Sequence, residues 1–326
     1  MIARFEWSDA RSVDDAISQL GGKAAVKAGG IDLMDRLKEG LDSPSRLVNI
    51  RTIPNLDYVR EDSGWLRVGA MVTLANIADH PVIRRRYGAL ADAALHAATP
   101  QIRNMATVGG NLLQRPRCWY FRSDQFHCLR KGGDRCFAQD GENESHAIFD
   151  NSVCAIVHPS ATACALTALG AKLEIRSRKG AREVALDDFF LRPEQDVTRE
   201  HSLADDALLT EIRVPALADS VRTAYTKVGQ KESFDWPLAE VAVVLDQRGG
   251  AVTKVAIVLG AAAPIPWRAS GAEKVLAGKA VDQQTAREAA TAAVHGATPL
   301  SQNAYKIPIF EAVVRRTILA AAGQED

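Results

Sequence analysis

Between residues 115 and 153 the chain loses any sustained apolar period, and four of its five cysteines, Cys118, Cys128, Cys136 and Cys154, fall in this stretch or at its end. Arg115-Pro116-Arg117, Gly132-Gly133 and the polar run at 140–145 read neither as helix nor as strand. Irregular segments this long are uncommon inside a compact protein unless something orders them, and a bound metal centre would do so. Four thiolates can hold a cubane iron-sulfur cluster or a structural zinc. The absence of a C-x-x-C knuckle counts against a zinc ribbon, and gaps of nine, seven and seventeen residues suit a loop wrapped around something larger. On spacing alone a cluster, a zinc ion and unrelated thiols or disulfides all stay open. Cys164, in the alanine-rich segment that follows, reads as a small buried thiol. An odd number of cysteines in 326 residues argues against a disulfide-stapled secreted scaffold.

Regular structure is expected on both sides of this stretch. Ser12 with Asp15 resembles a capping box ahead of Ala16, Ile17 and Leu20, with Gly21-Gly22 as the stop. Ala24 to Ala28 predicts a strand, Gly29-Gly30 a tight turn and Ile31 to Lys38 a helix. Trp65 to Gly69 predicts a strand, and Val82 to Ala98 a helix ending before Thr99-Pro100. Beyond the insertion, a helix is expected over about 161–170 and strands over 172–175 and 208–214. From Val221 the pattern changes to two apolar runs, 238–245 and 252–259, joined by a hairpin signal at 246–250 and followed by helices around 282–295 and 307–322. An α/β first half and a separate α+β domain of about a hundred residues follow.

Three further segments are candidates for chemistry. In Ala28-Gly29-Gly30-Ile31-Asp32-Leu33 the glycines let backbone N–H groups converge on a pyrophosphate at a helix N-terminus, although a Gly-Gly turn is more often structural and G-x-G-x-x-G spacing is missing. Gln101 to Asn111, with Thr107, Gly109, Gly110 and Asn111, forms a second backbone-rich loop, alternatively an irregular crossover. Two such loops eighty residues apart point to a diphosphate gripped from both sides. In the segment Tyr225 to Trp236 a cation could stabilise an anionic reduced flavin, with a solvated strand end as the plainer alternative. Lys plus Arg equals Asp plus Glu at 40 each, so nucleic acid is not an expected partner. No stretch approaches the length of a membrane span, and the N-terminus lacks the apolar run of an export signal.

Together these segments resemble the FAD subunit of the xanthine dehydrogenase and carbon monoxide dehydrogenase superfamily, over essentially the whole chain. The motif A-G-G-[TH]-[DS]-L matches Ala28 to Leu33 with Ile31 in place of the usual Thr or His, and Q-I-R-N-x-A-T-[VI]-G-G-N matches Gln101 to Asn111. Y-x-K-V-x-x-[RK]-x-S-F-D matches Tyr225 to Asp235, with Lys227 where the family has a lysine near the flavin ring, and Leu209 aligns with a leucine whose backbone contacts the ring. The resemblance implies a two-subdomain PCMH-type FAD-binding fold at 1–218, with subdomains at about 1–55 and 56–218 and an insertion at about 114–155. A CO dehydrogenase flavoprotein-like C-terminal domain would follow at 221–325. N-L-L-Q-R-x-R-C-x-Y-F with three more cysteines is similar to the branch typified by 4-hydroxybenzoyl-CoA reductase and bacterial heterotrimeric aldehyde oxidoreductases. That likeness implies a 4Fe-4S cluster on Cys118, Cys128, Cys136 and Cys154. One departure stands out: His158-Pro159-Ser160 is followed by Ala161 where the family usually has a ribose-binding Asp, so either Ser160 or Thr162 supplies a hydroxyl instead or adenosine is held less tightly.

The implied function is electron transfer inside a molybdenum hydroxylase complex. Substrate, an aldehyde or an aromatic or N-heterocyclic compound, would be oxidised in a large molybdenum-cofactor subunit. Electrons would reach this FAD through 2Fe-2S clusters of a small subunit and pass to dioxygen, a quinone, NAD or a ferredoxin. The assembly would be a heterotrimer or a dimer of heterotrimers, cytoplasmic or co-exported to the periplasm with a signal-bearing partner, and no residue of this chain is expected to act on the organic substrate. Two rivals are a self-sufficient flavin oxidase of the vanillyl-alcohol oxidase type, which needs a covalent flavin anchor or its own base, and a zinc-stapled scaffold without flavin.

Overall fold

Strands β1 (Glu6–Asp9), β2 (Ala24–Lys27) and β3 (Arg46–Asn49) form a small parallel sheet in the order β1-β3-β2. Parallel neighbours need a crossover, supplied here by α1 (Val13–Gln19) and α2 (Ile31–Lys38). The Ser12 hydroxyl accepts from the Asp15 N–H at 3.0 Å, and the Asp15 carboxylate closes back onto the Arg11 N–H at 2.8 Å, one residue earlier than a capping box would have it. Strand β1 is not foreshadowed by its sequence, because a four-residue edge strand that is mostly exposed leaves no apolar alternation to read. The computed structural model describes residues 2–231 and 233–324. Glu232, inside the Tyr225 to Asp235 segment, and Glu325, at the expected end of the last domain, lie outside the described residues.

The second sheet is antiparallel, in the order β4-β5-β8-β6-β7, from β4 (Val59–Asp62), β5 (Trp65–Gly69), β6 (Lys172–Ser177), β7 (Gly180–Ala185) and β8 (Leu208–Pro215). Leu66, Val68, Leu173, Ile175, Ile212 and Val214 alternate onto the face that packs against α3 (Leu74–Asp79), α4 (Pro81–Arg86) and α5 (Gly88–Leu95). The single helix expected over 82–98 is broken at Tyr87 (φ −126°, ψ 46°): its ring is wholly buried in this core, and the backbone turns there before Gly88. Short helices α6 (Pro100–Arg103), α7 (Val108–Leu112) and α8 (Trp119–Arg122) follow, then α9 (Ala161–Ala168).

The third sheet, β12-β11-β10-β9, is an antiparallel set of β9 (Val221–Val228), β10 (Ala239–Arg248), β11 (Ala251–Gly260) and β12 (Trp267–Arg268). Gly249 and Gly250 both take positive φ in the β10–β11 turn, the backbone that a two-residue hairpin demands. One face carries α10 (Ser270–Leu276), α11 (Gln283–Ala293) and α12 (Lys306–Ala321) over a core of Val241, Val243, Ile257, Leu259, Phe310 and Ile318. The other face meets α5 and α9 through Ala89, Ala93, Cys164, Ala165 and Ala168 packed on Ala242 and Val258. Small side chains on both partners allow this close approach, so the second and third sheets hold a fixed relation.

The insertion stays irregular, with α8 and one 3-10 turn (Leu129–Lys131) as its regular pieces. It is held from outside. Asn143 bonds Gln302 and Ser301, Asn151 bonds the Thr298 carbonyl at 2.7 Å, and the Ile148 N–H reaches Ala262 O at 2.9 Å. Among the described residues no helix is long and apolar enough to cross a membrane.

Candidate cofactor sites

A cleft of about 570 Å³ draws its wall from all three parts of the chain. Ala28, Gly29, Gly30, Ile31, Asp32 and Leu33 line one side, Thr107, Gly109, Gly110 and Asn111 another, and Leu209 and Lys227 complete it. The two glycine loops touch each other. A Cβ on Gly29 would lie 2.1 Å from the Met105 carbonyl oxygen, and one on Gly109 would lie 2.9 Å from Ala70 O. Only glycine lets these backbones meet. Gly30 caps α2 with φ +85° and brings no side-chain cap, so the first-turn N–H groups of α2 keep no intrahelical acceptor and suit an anion. The cradle thus fits an extended dinucleotide whose diphosphate lies over backbone amides.

Not every expected residue is placed there. Gln101 is exposed on α6 and lies outside the cleft wall, to which this segment contributes Thr99 and Ile102 instead. The Ser160 hydroxyl donates to Asn111 Oδ1 at 2.7 Å, and Thr162 donates to the same oxygen, so both hydroxyl protons are committed to holding Asn111 rather than to a ribose. Ala161 itself lines the cleft. His158, just before, is fully enclosed, and burial pushes its pKa down to about 3. His201 in the cleft wall is lowered in the same way, to about 4.

Lys227 lines the cleft and donates to the His96 carbonyl at 2.8 Å, while burial draws its pKa below the usual lysine value. Across the β9–β10 register it faces Glu240, a cleft residue only 3% exposed, whose carboxyl burial raises. Glu240 occupies the room left by Gly260, where a Cβ would fall 2.4 Å from Oε2. Glu240 was not singled out from sequence. The signal was available, since it is a lone charge inside the apolar run at 238–245.

The second site is a small enclosed cavity lined by Cys118, Cys128, Cys136 and Cys154 with Tyr120, Phe137 and Ile156. All four cysteines are free thiols. Burial pushes the Cys118 thiol up to about 12, and His146 Nε2 lies 3.3 Å from its Sγ. Cys136 hydrogen-bonds Cys154, which is thereby held down, with Arg130 as a further cause. Among the described residues, no three His, Cys, Asp or Glu side chains converge as a single metal ion requires. Cys164 sits apart, fully buried in α9 with its thiol 3.3 Å from Val258 O.

Arg117 is the residue that sequence reasoning missed between the two sites. It lines the cleft one position before Cys118 lines the cavity, and its guanidinium lies 4.8 Å from the Trp236 ring. Asp32, expected to serve a cofactor, directs its carboxylate at Arg117 (3.0 Å) and Arg122 (2.7 Å).

Residues 3–217 match the family described as the FAD binding domain in molybdopterin dehydrogenase, and residues 223–321 match the CO dehydrogenase flavoprotein C-terminal domain. The chain is 31% identical to the aldehyde oxidoreductase FAD-binding subunit PaoB of Escherichia coli, over 91% of each chain. It is 30% identical to the carbon monoxide dehydrogenase medium chain of Hydrogenophaga pseudoflava, covering 98% of this chain and 97% of that one. Among solved structures, carbon monoxide dehydrogenase from H. pseudoflava superposes with a TM-score of 0.78 at 29% identity, covering all of both chains. Quinoline 2-oxidoreductase from Pseudomonas putida 86 gives 0.77 at 25% identity, over 99% of this chain and 98% of that one.

Proposed function

The chain belongs to the FAD-binding medium subunits of the xanthine dehydrogenase and carbon monoxide dehydrogenase family, oxidoreductase subunits of molybdenum-dependent dehydrogenases, and on that premise we propose that it carries electrons through both an FAD and a 4Fe-4S cluster. The observation that carries the flavin half is the contact of two glycine loops across a cleft whose wall takes in Leu209 and Lys227. FAD bound there supplies reversible one- and two-electron transfer. The chain's own residues bind and tune: the amides of Gly30 to Leu33 take the diphosphate, Asn111 is held in the wall by Ser160 and Thr162, and Lys227 offers a cation to the ring.

The cluster half is supported by four free thiols around one buried cavity with apolar and aromatic walls. Among the described residues no three such side chains converge on a point and the cavity is only about 10 Å³, so the cluster reading rests on four free cysteines lining one cavity, with a structural zinc beside it as the second reading. The substrate is an aldehyde or an aromatic or N-heterocyclic compound, oxidised in a large molybdenum-cofactor subunit, with a small 2Fe-2S subunit between. The names "medium chain" and "FAD-binding subunit" among the relatives support an assembly with further subunits. The chain divides at about residues 218–221, with the cysteine insertion at about 114–155.

Metal and sulfide analysis of the purified complex with its visible spectrum tests the proposal. We expect one FAD and about four iron atoms per chain beyond those of the 2Fe-2S clusters. FAD without extra iron removes the cluster, and zinc without FAD removes both halves.

A further inference from the structure

The two sites share a wall, and one carboxylate holds it. Asp32 is the second residue of α2, and its carboxylate is 14% exposed. It accepts from Arg122 Nη2 at 2.7 Å and from the Arg115 backbone N–H at 3.1 Å, pairs with Arg117 Nη2 at 3.0 Å, and has Arg36 Nε at 3.6 Å. Arg117 and Arg122 bracket Cys118. Within this short run Gln114 and Arg117 line the cleft, whereas Cys118, Tyr120 and Phe121 line the cysteine cavity. Arg122 also closes the run on itself through the carbonyls of Pro116 (2.8 Å) and Arg115 (3.0 Å), and its other arm reaches Glu39 at the far end of α2 at 3.0 Å. The helix that opens at the first glycine loop is therefore clamped at both ends by the insertion.

We propose that Asp32 is a positioning residue that makes FAD binding and the ordering of the cysteine-bearing insertion interdependent, by holding Arg117 and Arg122 against the first glycine loop. This deepens the functional reading above and rests on its FAD half. Without that carboxylate Arg117 would keep only Asp35 at 3.7 Å as a charged partner and Arg122 only Glu39 at 3.0 Å, so each of these largely buried cations would lose its nearest counter-charge, which is costly. The run from Gln114 to Arg122 would then move away from α2. Gln114 and Arg117 line the cleft, so FAD bound there would favour the same arrangement from the other side. By linkage, whatever factor FAD contributes to the order of this run, the order of the run contributes to FAD affinity.

The test uses the purified complex, FAD-loaded and after FAD is stripped with a chaotropic salt, and reads hydrogen exchange of residues 114–122 together with the FAD dissociation constant. In the wild type, stripping should speed exchange in this run by about fivefold or more. Asp32→Asn should abolish that difference and weaken FAD by about five- to tenfold. Unchanged exchange in the β10–β11 hairpin shows that the fold persists. Arg122→Gln is the discriminating variant: Arg122 does not line the cleft, so any loss of FAD affinity there must come through the clamp. The inference is overturned if exchange of 114–122 ignores FAD in the wild type, or if Asp32→Asn weakens FAD while Arg122→Gln does not, since Asp32 would then be a direct ligand. A wild-type complex that binds no FAD would instead defeat the functional reading itself.

Discussion

The cleft and the cysteine cavity are built by opposite means. The cleft is shaped by missing side chains: at Gly29 and Gly109 two backbones approach to distances that any Cβ would forbid, and the surrounding sheets hold them there. The cavity is shaped by side chains that are present. Tyr120 packs edge-on against Phe126 with centroids 4.9 Å apart, and Arg130 is buried against Glu200 at 2.6 Å. Backbone sterics outlast the ligand, so the cleft should stand empty or full. A loop with so little regular structure rests on scattered side-chain and backbone bonds and on whatever its thiols hold, so the insertion should not.

The largest effect expected is therefore from a side chain at Gly29. Gly29→Val would drive Cβ into the Met105 carbonyl, and the two loops must separate, at a cost of about 3 kcal/mol. Flavin absorbance per chain should nearly vanish and the denaturation midpoint should fall. Full flavin content in this variant would mean that the loops do not act as one cradle. Next come Cys118→Ser, Cys128→Ser, Cys136→Ser and Cys154→Ser. Each should bring iron and acid-labile sulfide down to the level of the small subunit and speed hydrogen exchange across 115–153, with a smaller loss of FAD. If iron were lost while exchange in the insertion stayed slow, the loop's own hydrogen bonds would order it and the contrast would collapse.

Lys227→Met probes the cleft without disturbing its frame. Its ammonium is tethered to the His96 carbonyl and lines the cleft, so removing it takes away a cation and no backbone. The flavin midpoint potential should fall while FAD content stays near that of the wild type. An unchanged potential would mean that the cleft, like its glycines suggest, works through backbone alone.

How much of this was readable follows the same division. Glycine pairs print backbone approach directly into the sequence, so the turn at Gly29-Gly30 and the helix Ile31–Lys38 appear where expected, and the β10–β11 hairpin follows from its apolar runs and its Gly-Gly turn. The break at Tyr87 was hidden, because a buried aromatic ring in a helical period gives no local sign that the chain turns there. Gln101 matched a motif and yet faces solvent, since a match fixes residue identity and not the side to which a four-residue helix turns it. The clamp on Asp32 was hidden for another reason. Its partners lie 83 to 90 positions away, and pairing at that separation has no period.

Acid tests the cleft side of the molecule by a route that needs no ligand. His158 is held at about 3 and His201 at about 4 by burial, below the ordinary 6.5. As pH falls from 6.5 the unfolded chain takes up protons that the folded chain refuses, so stability present above 6.5 is lost progressively down to the folded values. Urea denaturation of His158→Phe should be less steep in pH over this window, by at most about 1.4 kcal/mol per pH unit. An unaltered slope would show that His158 is not where the acid sensitivity arises.

The smallest effect expected belongs to the fifth cysteine, and its smallness is what gives the other four their meaning. Cys164 is fully buried in α9 among Ala161, Ala165 and Ala168, and faces Val258 with its thiol 3.3 Å from the carbonyl oxygen. Replacing it by alanine removes one sulfur from a face already made of small residues and gives up a weak hydrogen bond from a group that burial keeps protonated. The cost should be about 1 kcal/mol, the scale of a small cavity. Iron, sulfide and FAD per chain should equal those of the wild type. The comparison is informative because burial does not separate the two classes: Cys128 and Cys154 are nearly as enclosed as Cys164. What separates them is that four thiols share a cavity and the fifth shares a helix interface. If Cys164→Ala lost as much iron as Cys128→Ser, loss would track general destabilisation of a buried thiol, and the cavity would have no claim to be a metal site.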